Sequence, residues 1–364
     1  MRVTLPFNEK TVLRSYLYSA YPAGMATARQ SLPANVLLHH IQLYFPASKL
    51  TAEGINRDHF RIFPGLSIDQ YGALGWLQST IIDETLIAAM SRDECAERAY
   101  ASLEQGRYIF VHIDEFYLPG SGCFRRRHHR HPLLITGCDR SQHLLLAMTY
   151  LASGVFGPTD IPVSEFDAGI RSPLGRLPGR YSEKSIWKEI AWVDQTDEPI
   201  DQFQLARRID DYLEGADSSA RYLGGDLAIP GYERVGHVYW DNPETVGGYG
   251  RGIYEYWRKY LRTVVSTNQN VDMRATRSLM DHKELLGMSL QSAFTGQSEV
   301  LKKSRPILLD CHGRATALHN TALIWNSFKS PATGRQMIQM LNELEAAETL
   351  GLTNALHDLR SLGR

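Results

Sequence analysis

Hydrophobic and polar positions alternate most regularly between Tyr108 and Tyr150. Ile109, Val111 and Ile113 fall on one side of an extended segment, and Tyr108, Phe110, His112 and Asp114 on the other. That period of two predicts a strand whose His112 and Asp114 face the same way. The turn signal Pro119-Gly120-Ser121-Gly122 follows, then an apolar run from Pro132 to Thr136, a turn through Gly137 to Ser141, and a further run from Leu144 to Tyr150. The segment therefore predicts a three-stranded antiparallel meander with His131 at the start of its second strand.

Helical spacing dominates the rest of the chain. After Pro33, Leu37, Leu38, Ile41, Tyr44 and Phe45 predict a helix carrying His39 and His40, and residues 68–90 read as largely helical despite Gly72 and Gly75. Ser91-Arg92-Asp93-Glu94 is a capping box that opens a helix with Ala96, Ala99, Tyr100 and Leu103 on one side and Cys95 inside it. Pro162 to Phe166 and Ile186 to Val193 read as short elements, separated by the Gly/Pro-rich stretch from Ser172 to Gly179. Leu205, Ile209, Tyr212 and Leu213 align in a helix that ends at Gly215. From Asp272 onward Ala275, Leu279, His282, Leu286, Leu290 and Ala293 form a single stripe, which puts His282 on a buried face.

Gly224 to Gly252 interleaves glycines with Tyr232, His237, Tyr239, Trp240 and Tyr249, either as a pocket wall or as a loop packed on its own rings. Pro306 to His312 is a short apolar segment, and a final helix over residues 334–359 is suited to pack on the core or on a second copy of the chain in a homodimer. Helices first and antiparallel strands second give an α+β class, with a cleft between the helical lobe and the sheet. Two domains are expected, an α+β domain over 1–180 and a mostly helical one over 181–364.

Composition narrows the function classes. The 364 residues are 43% hydrophobic and 22% charged, and 39 basic against 40 acidic side chains leave a net charge of −1, so no global field favours nucleic acid or an anionic membrane. The concentrated cationic feature is the run from Arg125 to Arg130, which fits an acidic partner or a phosphate as well as it fits simple solvation. Cys95, Cys123, Cys138 and Cys311 lack the paired spacing of a disulfide framework and suit a reducing cytoplasm. Neither a signal-peptide core nor a bilayer-length apolar stretch is seen, so a soluble cytoplasmic protein is expected.

His131 is the leading chemical candidate, because an imidazole at a strand start is held firmly and takes and returns a proton near neutrality. The competing reading is that three histidines among four arginines form a solvated cationic loop. Cys123 lies in the loop leading to His131, beside Arg125 to Arg127, where positive charge favours a thiolate, although a loop cysteine without a role fits the same spacing. Cys138, in the turn after the second strand, and Cys95 read as packing residues. His112, Asp114, His128, His129, His131 and His143 crowd one region but match no zinc spacing, and no metal is expected.

The pattern from Val111 to Pro119, His128 and His131, and then Leu134 to Asp139 resembles the N-terminal domain of the butirosin biosynthesis protein H-like family, papain-like proteins found beside thiotemplate assembly lines. Asp211-Tyr212-Leu213, Gly252-Ile253-Tyr254, Asp272-Met273-Arg274 and Asp281-His282-Lys283 resemble the helical C-terminal part of relatives associated with non-ribosomal peptide synthetases. The likeness runs through short motifs from about residue 105 to about 295.

The resemblance implies a papain-like fold and a cysteine near the N-terminus that attacks a carrier-bound acyl or peptidyl thioester. His131 would act as base, and an acid or amide on the following strand would orient it. It also implies an acyl or peptidyl carrier protein as partner, a small amine as acceptor, phosphopantetheine as part of the substrate and no resident cofactor. Arg127, His128, Tyr117 and His282 are the residues expected to contact substrate, and Asp114 joins His131 among the catalytic candidates.

The chain departs from that pattern at two places. No thiol stands near the N-terminus, where Thr27 and Ser31 offer hydroxyls that would need a stronger base, and Met148-Thr149 occupies the expected acid position. A substituted nucleophile such as Ser31, a relocated thiol such as Cys123, and a fold that binds without cleaving all remain open.

Overall fold

The computed structural model describes the chain except residues 47–49, 52–53, 56–70, 73, 173–186, 196–198, 217–245, 294–302 and 363–364. It is a mixed α+β protein made of two compact units. One is formed by Met1–Thr11, Leu17–Ser31 and Ser67–Gln195, the other by Val12–Tyr16, Leu32–Leu66 and Thr196–Arg364.

The first unit is built on an antiparallel sheet of seven strands. Its strands are β1 (Arg2–Thr4), β5 (Leu77–Ile82), β6 (Tyr108–Asp114), β7 (Arg130–Asp139), β8 (Leu144–Tyr150), β9 (Phe156–Pro162) and β10 (Trp187–Trp192), in the order β5-β10-β6-β7-β8-β9. The ten-residue β7 pairs with β6 from Arg130 to Ile135 and with β1 from Gly137 to Asp139. Between those halves Thr136 is an extra residue opposite β8, a bulge that bends the strand. Gly137 completes the bend, since a Cβ there would stand 2.4 Å from the Val3 carbonyl oxygen.

The central strands β6, β7, β8 and β10 carry no exposed position, whereas the edge strand β5 exposes its middle. Helix α1 (Leu17–Thr27) lies on one face, where Tyr18 and Tyr21 meet the Phe110 ring at 5.7 and 6.1 Å and the Tyr21 hydroxyl donates to the Pro132 and Met148 carbonyls. The expected meander is present as β6, β7 and β8, with His131 second in β7.

Several elements differ from expectation. Leu77–Ile82 is a strand rather than part of a helix: with both ends apolar and a polar centre it fills the sheet edge beside β10, and Gly75 breaks the chain before it with φ +82°. Between β5 and β6 lie α3 (Glu84–Ala89), capped by Asp83, and α4 (Arg92–Glu104), whose Ser91/Glu94 capping box is formed as expected. The helix α2 (Ala34–His39) is shorter than expected, because β2 (Tyr44–Pro46) takes up the following aromatic residues. Pro162 to Phe166 spans the end of β9 and the start of α5 (Val163–Arg171). Cys138 sits inside β7, paired with Val3 and Leu145 and fully buried, rather than in a turn.

The second unit carries two short strand pairs, β2 with β11 (Val246–Tyr249) and β3 (Leu50–Thr51) with β4 (Gly54–Ile55). It is otherwise helical among the described residues: α2, α6 (Gln202–Glu214), α7 (Ile253–Ser266), α8 (Met273–Ala293), α9 (Ser304–Phe328) and α10 (Pro331–Leu362). Asp201 caps α6 and Gly215 ends it in the left-handed region. Pro306 to His312 is the first part of α9, not a separate segment, and α9 pairs with α10 through the turn at Lys329 and Ser330. The aromatic stretch from Tyr232 to Trp240, like most of the Ser172 to Gly179 loop, falls outside the described residues.

Candidate functional site

The site is assembled where β6 ends and β7 begins. Antiparallel pairing sets Ile113 opposite His131 and Asp114 opposite Arg130, so the residue after Asp114 emerges beside the His131 ring. That residue is Glu115, which opens a short 3-10 turn over Glu115–Tyr117. The His131 Nδ1 stands 2.8 Å from Glu115 Oε1. Glu115 is buried while the imidazole is partly exposed, an arrangement that fixes one ring nitrogen on a carboxylate and leaves Nε2 for other chemistry.

Cys123 is buried in the same loop, and the Arg127 Nε–H points at its sulfur from 3.3 Å. The turn that places it is local: Ser121 Oγ accepts from the Cys123 N–H, and the Cys123 carbonyl accepts from the N–H groups of Arg126 and Arg127. Burial pushes the Glu115 carboxyl up, but the hydrogen bond from His131, with a smaller contribution from the nearby Cys123 thiol, outweighs it and holds the group below the ordinary glutamate value.

Asp114 anchors the loop. Its Oδ1 accepts from the backbone N–H groups of Phe116 and His129, and its Oδ2 takes the Ser172 hydroxyl and the His128 Nδ1, each at 2.6 Å. Burial raises its carboxyl, yet the bonds from Ser172, His128 and the two amides win and leave it depressed. The His128 ring stacks on Phe116 at 4.4 Å, and Tyr117 meets Phe116 edge-on at 5.1 Å.

Two depressed carboxylates make the loop acid-sensitive. A group whose folded value lies below its unfolded one stabilises the fold fully above the unfolded value, which for these residues is about 4, and that contribution is lost as pH falls through the folded value. Stability to urea is therefore expected to drop below about pH 4. Glu115→Gln should show a shallower acid slope than the parent protein, and parallel slopes would contradict the assignment.

Of the eight residues singled out from the sequence, six meet in this one loop: Asp114, Tyr117, Cys123, Arg127, His128 and His131. Ser31 is elsewhere. Arg29, two residues before it, donates to the Tyr108 hydroxyl at the far end of β6, roughly 16 Å of strand from Ile113. Ser31 is exposed, and the Thr27 hydroxyl is committed to Ala23 and Asn8. His282 belongs to the second unit and is fully buried. Its Nε2 donates to the Ile41 carbonyl, its Nδ1 takes the Lys283 ammonium at 3.0 Å, and its ring stacks on Tyr212. That is the environment of a core histidine.

His112 is a poor acid–base group. Burial, with Arg130 and Lys188 nearby, lowers it to about 3, and its Nε2 is bonded to the Tyr18 hydroxyl at 2.6 Å. The residue that sequence reasoning missed is Glu115, whose signal was an acid directly following a strand paired with the histidine's own.

No protein-family model matches this chain, and no curated protein matches it significantly.

Proposed function

We propose that this chain is a papain-like protein of secondary-metabolite biosynthesis, of the butirosin biosynthesis protein H-like kind, acting on an acyl or peptidyl thioester held by a carrier protein. The observation that carries the reading is the Glu115 carboxylate bonded to the His131 Nδ1 at 2.8 Å, in a loop that also holds the buried Cys123 thiol with Arg127 at its sulfur. An imidazole with an acid on Nδ1, a buried thiol in the same loop and a cation beside the sulfur are the parts thiol-dependent acyl transfer uses. The α+β unit with a helix packed on an antiparallel sheet supports the fold assignment.

In this reaction the Cys123 sulfur attacks the thioester carbonyl while His131 takes the thiol proton. The bond from acyl carbon to the phosphopantetheine sulfur breaks, and that sulfur leaves with the proton from His131. An amine or water then attacks the acyl-Cys123, His131 again moves the proton, and the thiol is restored. Phosphopantetheine enters as part of the substrate, and the exposed arginines of the loop give an acidic carrier a surface to meet. Four free cysteines fit the cytoplasmic setting proposed for the protein.

A second reading has its own observation. Helix α1 presents Tyr18 and Tyr21 to the sheet rather than a thiol, which favours a module that holds a carrier-bound substrate without covalent chemistry. Incubation with an acyl-loaded carrier, followed by intact-mass measurement of both proteins, separates the two. An acyl adduct or released product that disappears in Cys123→Ser supports the enzyme, whereas co-elution with the loaded carrier at unaltered masses supports the module.

A further inference from the structure

Beside this site the loop folds one of its own cations into an aromatic enclosure. The Arg125 guanidinium carbon lies 5.6 Å from the Phe116 ring centroid, 5.6 Å from that of Tyr117 and 5.3 Å from that of Phe124. Its Nη2 bonds Glu165 Oε1 on α5. Three rings and a carboxylate around one point are the ordinary means of holding an organic cation.

Arg125 fills this enclosure imperfectly, in two independent respects. Glu165 Oε2 is shielded from solvent and has no hydrogen-bond partner among the described residues, so a guanidinium that can engage a carboxylate at both oxygens engages it at one. The Arg125 backbone is also in the left-handed region, with φ +53°, a conformation that a residue bearing a Cβ adopts only under strain. The side chain is half exposed.

We infer that Phe116, Tyr117, Phe124 and Glu165 form a binding site for a guanidinium or primary ammonium group of a small-molecule ligand, and that Arg125 is its intramolecular stand-in. An incoming cation takes both Glu165 oxygens and the three ring faces, while Arg125 swings into solvent. The site stands on its own geometry, whether or not acyl transfer occurs. Under the reading above it holds the cationic end of an acceptor amine, since Phe116 directly follows the Glu115 that holds His131.

The test uses Arg125→Gly in the full chain, because glycine adopts φ +53° without strain. Calorimetric titration with N-butylguanidinium is expected to show binding at least tenfold tighter than to the parent protein, whose own cation competes. N-butyltrimethylammonium, which keeps the charge but has no N–H for Glu165, should bind more weakly, and neutral N-butylurea should not bind. Glu165→Gln in the Arg125→Gly background should abolish the gain. Equal affinity in the parent and Arg125→Gly proteins, or butylurea binding as well as butylguanidinium, would overturn the proposal. Arg125→Ala serves as a second variant with the same expected order. None of these outcomes depends on a carrier substrate, so failure of acyl transfer and failure of the cation site are read separately.

Discussion

Replacing Lys283 with methionine is expected to cost the second unit about 3–5 kcal/mol, the usual loss when one partner of a buried ion pair is removed. Lys283 and Glu348 are both buried, and the ammonium bonds the Glu348 carboxylate, the His282 Nδ1 and, at 3.3 Å, the Tyr212 hydroxyl. The other Glu348 oxygen takes the hydroxyls of Tyr212 and Tyr254 at 3.0 and 2.8 Å. Burial lowers the lysine's proton affinity and Glu348 opposes that shift, so the pair is stable only as a pair.

Methionine fills the space but leaves a carboxylate with two phenol donors and no cation. Against a typical total of about 5–15 kcal/mol, such a loss brings a domain close to unfolding. Adding Glu348→Gln should recover most of it, because the amide oxygen still accepts from the tyrosines and no charge is stranded. Urea unfolding followed by tryptophan fluorescence reads both. A Lys283→Met cost under about 1 kcal/mol would show that the ammonium does not hold these helices together.

The second large effect concerns catalysis. His131→Ala is expected to lower the rate of acyl release or transfer about 10²- to 10⁴-fold, the range general acid–base catalysis supplies. Glu115→Gln should fall between that variant and the parent protein: the amide oxygen still accepts from Nδ1, but the charge that stabilises an imidazolium is gone. Single-turnover rates with an acyl-loaded carrier measure both. Full activity in Glu115→Gln would remove the carboxylate from the mechanism.

How much of this was legible depends on how local each cause is. The apolar runs between Tyr108 and Tyr150 yield three buried strands because turn residues bound each of them, and Ser91 with Glu94 yields a helix start because the capping box is complete within four residues. The Leu77–Ile82 strand was unreadable as such: it draws its shape from pairing with β10, more than a hundred residues away, and its short pattern suits either period. Cys138 looked like a turn residue beside Gly137. The glycine instead marks a bulge where β1 comes close, a contact set by the first residues of the chain.

The candidate site divides the same way. His131, Cys123 and their cationic neighbours stand out in one loop, and the structure brings them together. Glu115 carries no signal of its own in the sequence beyond its place after a strand: the family pattern puts the orienting acid on the strand after the histidine, whereas the pairing of Ile113 with His131 supplies it from the strand before. Asp114, with a similar look in the sequence, is committed to backbone amides, His128 and Ser172. The partners of Lys283 lie on α6, α7 and α10, and no spacing in the sequence links them.

The pairing of Glu115 with His131 is tested most directly by the proton it positions. Long-range proton–nitrogen correlation spectra of the histidine side chains, recorded where the imidazoles are neutral, report which ring nitrogen of His131 carries hydrogen. Donation to Glu115 predicts a proton on Nδ1 of His131 that moves off it in Glu115→Ala. A His131 ring protonated on Nε2 in the parent protein, and unchanged in that variant, would contradict the account.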